Sequence, residues 1–221
     1  MSLRRLLSHL VPFSIERGES RVHPRLSVRL VGGRLRLDAQ RVNHSGGSLR
    51  DVWAAAFAHL RPERRPLERV LLLGLGGGSS LDLLRERGVH APIDAVELDP
   101  EVVRLARAHF GLERLQPLEI HVADALDWIE RPGERYDLVL VDLFIEDEIP
   151  PAARAEPFLR GLGARLAPGG LLVFNQLGHT PRRYAEALEL QRLAARVLGP
   201  ARILVCGTNQ LLVHEAGHAT R

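Results

Sequence analysis

From Arg69 onward the chain alternates short apolar runs with segments of helical period, and that alternation leaves few architectures open to it. The runs VLLLGL, IDAVEL, LEIHVA, YDLVLV and GLLVFNQ are each followed by a helical stretch: Ser80–Arg87, Pro100–Phe110, Ala125–Glu130, Ala152–Leu166 and Pro181–Leu198. Units of this kind in series place parallel strands in one sheet with helices on both faces. Two further apolar runs, ARILVC and QLLVHE, follow with only Gly207-Thr208-Asn209 between them. A parallel crossover needs about a dozen residues, so these two strands must run antiparallel.

The first fifty residues follow a different rule. Up to residue 47 the pattern has period two, with a Gly32-Gly33 turn, and predicts two or three strands in a small β appendage. Ser48-Leu49-Arg50-Asp51 then fits a capping box opening a helix that runs to Leu60 and is stopped by Pro62. The expected domains are therefore 1–47, the strand appendage, and 48–221, an α/β domain. A parallel sheet finished by an antiparallel hairpin resembles the seven-stranded, Rossmann-like class I methyltransferase fold.

Composition bounds the function. With 221 residues, 45% of them hydrophobic, the chain can bury a substantial core. No apolar run approaches the roughly 18 residues of a membrane helix, and the apolar stretch in MSLRRLLSHLVPF is too short for a secretion signal, so a cytoplasmic location is expected. All 30 basic residues are arginine, which excludes lysine Schiff-base and P-loop chemistry. Residues 1–50 carry ten of them against Glu16, Glu19 and Asp38. Alternation with apolar residues in RLSVRLVGGRLRLDAQRV points to the wet face of a sheet; nucleic-acid binding would call for interleaved aromatics, which are absent. Cys206, the single cysteine, reads as a core residue in a strand, with a catalytic thiol as the alternative.

Gly74-Leu75-Gly76-Gly77-Gly78-Ser79-Ser80 follows the first apolar run. Glycines there allow close backbone approach to a ligand and a sharp entry into a helix. The dinucleotide fingerprint would require glycine at position 79; G-x-G-x-G over 74–78 instead fits S-adenosylmethionine (SAM). Gly74, Gly76, Gly78 and Ser79 are thus candidate cofactor contacts. Glu97 ends the second run, where a carboxylate can accept both hydroxyls of a ribose. Asp99, before Pro100, reads as a helix cap. Asp124 ends the third run and can either take the adenine amine or cap the next helix. His214-Glu215-Ala216-Gly217-His218 matches the zinc-protease pattern, but it follows a strand and contains glycine, so no metal is expected there. Elsewhere the histidines, His59, His109 and His121 among them, show no ligand spacing.

VDLFIEDEIPP gathers Asp142, Glu146, Asp147 and Glu148 after the fourth run. A carboxylate at a strand end could draw in an amine, orient it and accept its proton, with neighbouring acids deepening the negative potential. A plain acidic loop is the alternative.

GLGGGSS, VELDPEVVRLARAHF, VADALDWI and YDLVLVDLF, in this order and spacing, resemble the spermidine synthase (polyamine aminopropyltransferase) family, specifically its spermidine synthase-like branch. The resemblance spans roughly residues 25–175, including the small N-terminal β region. It implies aminopropyl transfer from decarboxylated SAM to an amine, with Glu97 at the ribose, Asp124-Ala125 at the adenine and Asp142 as base. Glu146 and Asp147 would contribute to amine binding, and the assembly would be a homodimer or larger. The sequence departs from the family at the glycine loop, usually GGGDG with an aspartate for the donor's amine, a position this reading gives to Ser79. It departs again at DSSDP, where Leu143-Phe144-Ile145 follow Asp142, and at a tyrosine-histidine pair, where Asp51-Val52-Trp53-Ala54 stand. Because serine would not repel the carboxylate of intact SAM, methyl transfer to a small amine is a rival; a third possibility is a non-catalytic nucleoside-binding protein.

Overall fold

A computed structural model describes residues 3–23, 25–39, 42–45, 47–145 and 147–218, with the side chains of 42–45 and 47 excepted. After a short helix α1 (Leu3–Leu7), the strands β1 (Phe13–Gly18), β2 (Leu26–Val31), β3 (Arg34–Ala39) and β4 (Val42–Ser45) form an antiparallel sheet in sequential order. Gly32 and Gly33, at φ 56° and 77°, supply the two left-handed residues that a two-residue hairpin needs between β2 and β3. The appendage region thus holds four strands where two or three were expected. Along β2 buried and half-buried positions alternate strictly, as period-two patterning requires. Its inner face, Leu26 and Val28 with Leu37 and Ala39 of β3, packs on Val102 and Leu105 of the later helix spanning 100–109.

Next come α2 (Gly47–Leu60), β5 (Val70–Leu73), α3 (Ser79–Glu86), β6 (Ile93–Glu97), α4 (Pro100–His109), β7 (Leu118–Val122), α5 (Ala125–Glu130) and β8 (Tyr136–Val141). They are followed by α6 (Glu156–Ala164), β9 (Leu166–Leu177), α7 (Pro181–Val197), β10 (Ala201–Cys206) and β11 (Asn209–Glu215). Ser48 lies inside α2, one residue past its start, so it does not cap that helix as the sequence suggested. The expected helix over 152–166 is divided: a 3-10 turn, Pro151–Arg154, precedes α6. Pro157 has no N–H and tolerates only a first turn, so a helix must begin afresh there.

The large sheet runs β10-β11-β9-β8-β5-β6-β7. Its β11 is antiparallel to both neighbours, lying between β9 and β10. The turn, shortened to Gly207-Thr208 because Asn209 already belongs to β11, reverses the chain into the sheet rather than extending its edge. Alternate residues of each central strand face opposite layers. Val70, Leu72, Leu138 and Leu140 pack with Trp53 and Phe57 of α2 and Leu81 and Leu84 of α3. On the other face Leu71, Leu73, Val139 and Val141 pack with Phe158 and Leu162 of α6 and Leu190 of α7. Burial on both faces explains why these strands read as unbroken apolar runs. Cys206 is a free, buried thiol whose pKa burial pushes up, which suits the core role. Among the described residues no helix is long and apolar enough to cross a membrane.

Candidate active site

At the carboxyl ends of β5, β6 and β8 the chain reverses into helices, and a cavity opens there. This is the position where open α/β sheets bind ligands. Its wall includes Gly74, Leu75 and Gly76 after β5, Glu97 at the end of β6, Asp124-Ala125 after β7, and Asp142 after β8. Gly78 and Ser79 lie outside that wall: Gly78, at φ 75°, turns the chain into α3, and Ser79 is the first residue of that helix. Gly74 has φ 91°, and a Cβ on it would collide with the Asp142 carbonyl. Glycine at 74 therefore lets two strand ends, and the two halves of the site, touch.

Burial lifts the Glu97 carboxyl above the usual carboxylate range, opposed by three backbone N–H donors. Oε2 accepts from Leu75 at 3.0 Å and Gly76 at 3.1 Å, and Oε1 accepts from Asp99 at 3.1 Å. The glycine loop is thus tied to β6 by the residue expected at the ribose, and Oε1 keeps acceptor capacity for one more donor. Asp124 caps α5, accepting from the Leu126 N–H at 2.8 Å, and capping does not remove it from the cavity wall. Asp99 caps α4 as expected and also accepts from the Ser20 hydroxyl, which pins the β1–β2 loop over the site. From that loop Val22 and His23 enter the cavity wall.

Asp142 is held on both oxygens. The Trp53 indole N–H donates to Oδ2 at 2.9 Å, and the Asn175 amide donates to Oδ1 at 2.8 Å. Asn209 in turn donates to Asn175 Oδ1 at 2.8 Å. Burial raises the Asp142 pKa, and the Asn175 and Trp53 donors act against that rise. A carboxylate so placed is a stronger base than one in water. Sequence reasoning missed all three supports. Trp53 lies in the stretch noted for lacking a tyrosine-histidine pair. Asn175 was visible as one of two amides, with Gln176, directly after the apolar run LLVF, polar residues that a buried strand must have a reason to carry.

Asp147 does not join this cavity. Its carboxylate meets Arg183 Nη2 at 2.7 Å, its carbonyl meets Nη1 at 2.6 Å, and Glu148 pairs with Arg182 at 2.8 Å. The acids that seemed to enrich the site clasp their loop to the start of α7. Glu146, the remaining candidate for amine binding, lies outside the described residues. Leu143, Phe144 and Ile145 do line the cavity, leaving Asp142 in a largely apolar acceptor side.

A Methyltransferase domain family model matches residues 70–170. The polyamine aminopropyltransferase of Vibrio vulnificus is 35% identical over 111 residues, covering 49% of this chain and 37% of that protein. The human eEF1A lysine and N-terminal methyltransferase is 32% identical over 136 residues, 55% of this chain and 20% of that protein. Among solved structures, spermidine synthase from Thermotoga maritima superposes with a TM-score of 0.73 at 14% identity, covering 92% of this chain and 73% of that one. The fold is that of a spermidine synthase-like class I methyltransferase. Human methyltransferase-like protein 13, solved in complex with SAH, superposes at 0.60 with 23% identity, covering 79% of this chain and 82% of that one. The alignments to these two curated relatives thus span well under half of either relative, and the proteins so matched are transferases of two kinds.

Within this spermidine synthase-like fold, counting GGGDG from Gly74 sets Gly77, not Ser79, opposite the family's aspartate. The correction removes a side chain rather than exchanging one: no carboxylate projects from the loop at that position.

Proposed function

We propose that the chain transfers a methyl group from intact SAM to the nitrogen of an amine whose body is apolar. The arrangement that supports this is Asp142, fixed by Trp53 and Asn175, in a cavity lined also by Gly74, Gly76, Glu97 and Asp124 and by the apolar Leu143, Phe144 and Ile145. The donor supplies a carbon already activated by its sulfonium. Glu97 accepts a ribose hydroxyl through Oε1, Asp124 takes the adenine amine, and backbone N–H groups of the glycine loop meet the donor's carboxylate end. Asp142 attracts the protonated amine, orients it and takes its proton; the lone pair so freed on nitrogen then attacks the methyl carbon as the carbon–sulfur bond breaks toward sulfur. Glycine at position 77 gives the loop no side-chain counter-charge there for the ammonium of an aminopropyl donor, and Asp147 and Glu148 are paired with Arg183 and Arg182 rather than facing a diamine's far end.

Aminopropyl transfer from decarboxylated SAM is the second reading. It is favoured by the likeness to spermidine synthase over 92% of this chain, which takes in the N-terminal sheet.

Two measurements test these readings. In a thermal-shift panel, SAM and S-adenosylhomocysteine at a hundred times their dissociation constants should each stabilise the protein by about 2.7 kcal/mol; stabilisation by NAD alone would refute the nucleoside assignment. Turnover with SAM and with decarboxylated SAM, each against putrescine, spermidine and a benzylic monoamine, should appear for SAM with the monoamine. Product only from decarboxylated SAM and putrescine would establish the second reading.

The pH profile follows from the Asp142 environment. Asp142 must be ionised to accept a proton, and burial raises its pKa, so turnover falls as pH drops through a limb lying above the ordinary aspartate value. Trp53→Phe removes a donor that favours the charged form. That limb should move to higher pH by about one unit, and an unmoved limb would dissociate Trp53 from the base.

A further inference from the structure

A second cavity lies at the opposite end of the sheet, where the amino ends of the strands meet. Arg69, just before β5, Tyr136 at the start of β8, Arg165 just before β9, and Trp128 and Arg131 at the end of α5 contribute to its wall. Arg165 is only 6% exposed, yet no carboxylate among the described residues pairs with it. Its guanidinium makes one long hydrogen bond, 3.4 Å, to the Arg131 carbonyl and lies 5.6 Å from the centre of the Tyr136 ring. Its Nε has no acceptor among the described residues. The buried Nε of Arg69 and the indole N–H of Trp128, in the same wall, lack acceptors too.

Of the acids nearby, Glu119 is three-quarters exposed and comes only within 3.9 Å of His121, while Asp94 and Glu134 are engaged. Asp94 accepts from the Tyr136 hydroxyl at 3.0 Å and Arg69 at 3.3 Å, and its other oxygen meets His121 at 3.1 Å. Burial, followed by the Asp94 charge, pushes the Tyr136 phenol up to about 12, so it remains a donor to Asp94. Glu134 pairs with Arg69 at 3.3 Å. The unmatched capacity of the cavity is therefore N–H, and cationic at Arg165 and Arg131. The carbonyl ends of α5 and α6 and the Tyr136 ring account for a cation at 165, but not for three donors without acceptors in one wall. Gly133 is cut to the same purpose: a Cβ there would collide with the Arg165 guanidinium.

We infer that this cavity binds an oxyanion, a carboxylate or a phosphate, through Arg165, the Arg69 Nε–H and the Trp128 indole N–H, with Arg131 at the mouth. Ligand atoms of Asp94, Glu119 and His121 lie within 4.8 Å of one another, the spacing a metal ion would want. However, both Asp94 oxygens are occupied, Glu119 is three-quarters exposed, and the unmatched buried atoms in the wall are the N–H donors of Arg165, Arg69 and Trp128, which call for an acceptor rather than a cation.

The chain has two tryptophans, so its nitrogen–proton correlation spectrum carries two indole signals, assignable with Trp53→Phe. Inorganic phosphate and succinate are titrated separately at ionic strength matched with chloride. The Trp128 signal should shift saturably with at least one of them while the Trp53 signal stays, and which anion acts identifies the group. Arg131→Gln, a change at an exposed position, should weaken that binding about tenfold, and Gly133→Ala should weaken it by displacing Arg165. The inference fails if neither anion moves Trp128, if both indoles move together, or if zinc shifts Trp128 and the anions do not.

Discussion

Replacing Asp142 with asparagine is expected to lower turnover by about a hundred- to ten-thousand-fold, the range for loss of a positioned general base. Nucleoside binding, measured by calorimetry with S-adenosylhomocysteine, should change little, because Glu97, Asp124 and the glycine loop do not bond Asp142 through its side chain. Some stability is lost as well. An asparagine cannot accept on both sides, so either Trp53 or Asn175 must face an N–H, at about 1–2 kcal/mol. Asn175 cannot simply turn over, since its oxygen already accepts from Asn209. Assays well below the melting temperature separate the two effects. Turnover within a few-fold of the parent protein would remove Asp142 from the chemistry.

The second large effect is expected at Gly74. Alanine there must adopt φ 91° and press a methyl group into the Asp142 carbonyl, and neither strain can relax without separating β5 from the strand end beside it. A loss of about 3 kcal/mol or more is expected, near 10 °C in melting temperature for a chain of this size. Nucleoside binding should weaken too, because the loop that follows would shift. A melting temperature within a degree or two of the parent protein would show that the close approach of the strand ends is dispensable.

How far the sequence could be read depended on whether its constraints were local. The βα alternation and the short turn before β11 are local, and they led to the sheet, its helices and its antiparallel strand. Asp99 and Asp124 were readable because a cap is decided within three residues. The supports of Asp142 were not, since Trp53 and Asn175 lie 89 and 33 positions away and meet it only when α2 packs on the sheet. The acids after Asp142 were misjudged for the same reason. A run of carboxylates looks like a potential well until Arg182 and Arg183, more than thirty residues on, are seen to neutralise it.

Strand β11 lies between two strands made before it, and its first residue, Asn209, is the far end of the chain of amides that holds Asp142. During synthesis β9 therefore keeps an open edge until the ribosome has passed residue 215. Glycine loop, Glu97 and Asp124 are all present much earlier, so a growing chain has the parts for holding a nucleoside before it has the means to fix its base. The amide that Asn209 lends to Asn175, and through it to Asp142, is therefore in place only once β11 has entered the sheet.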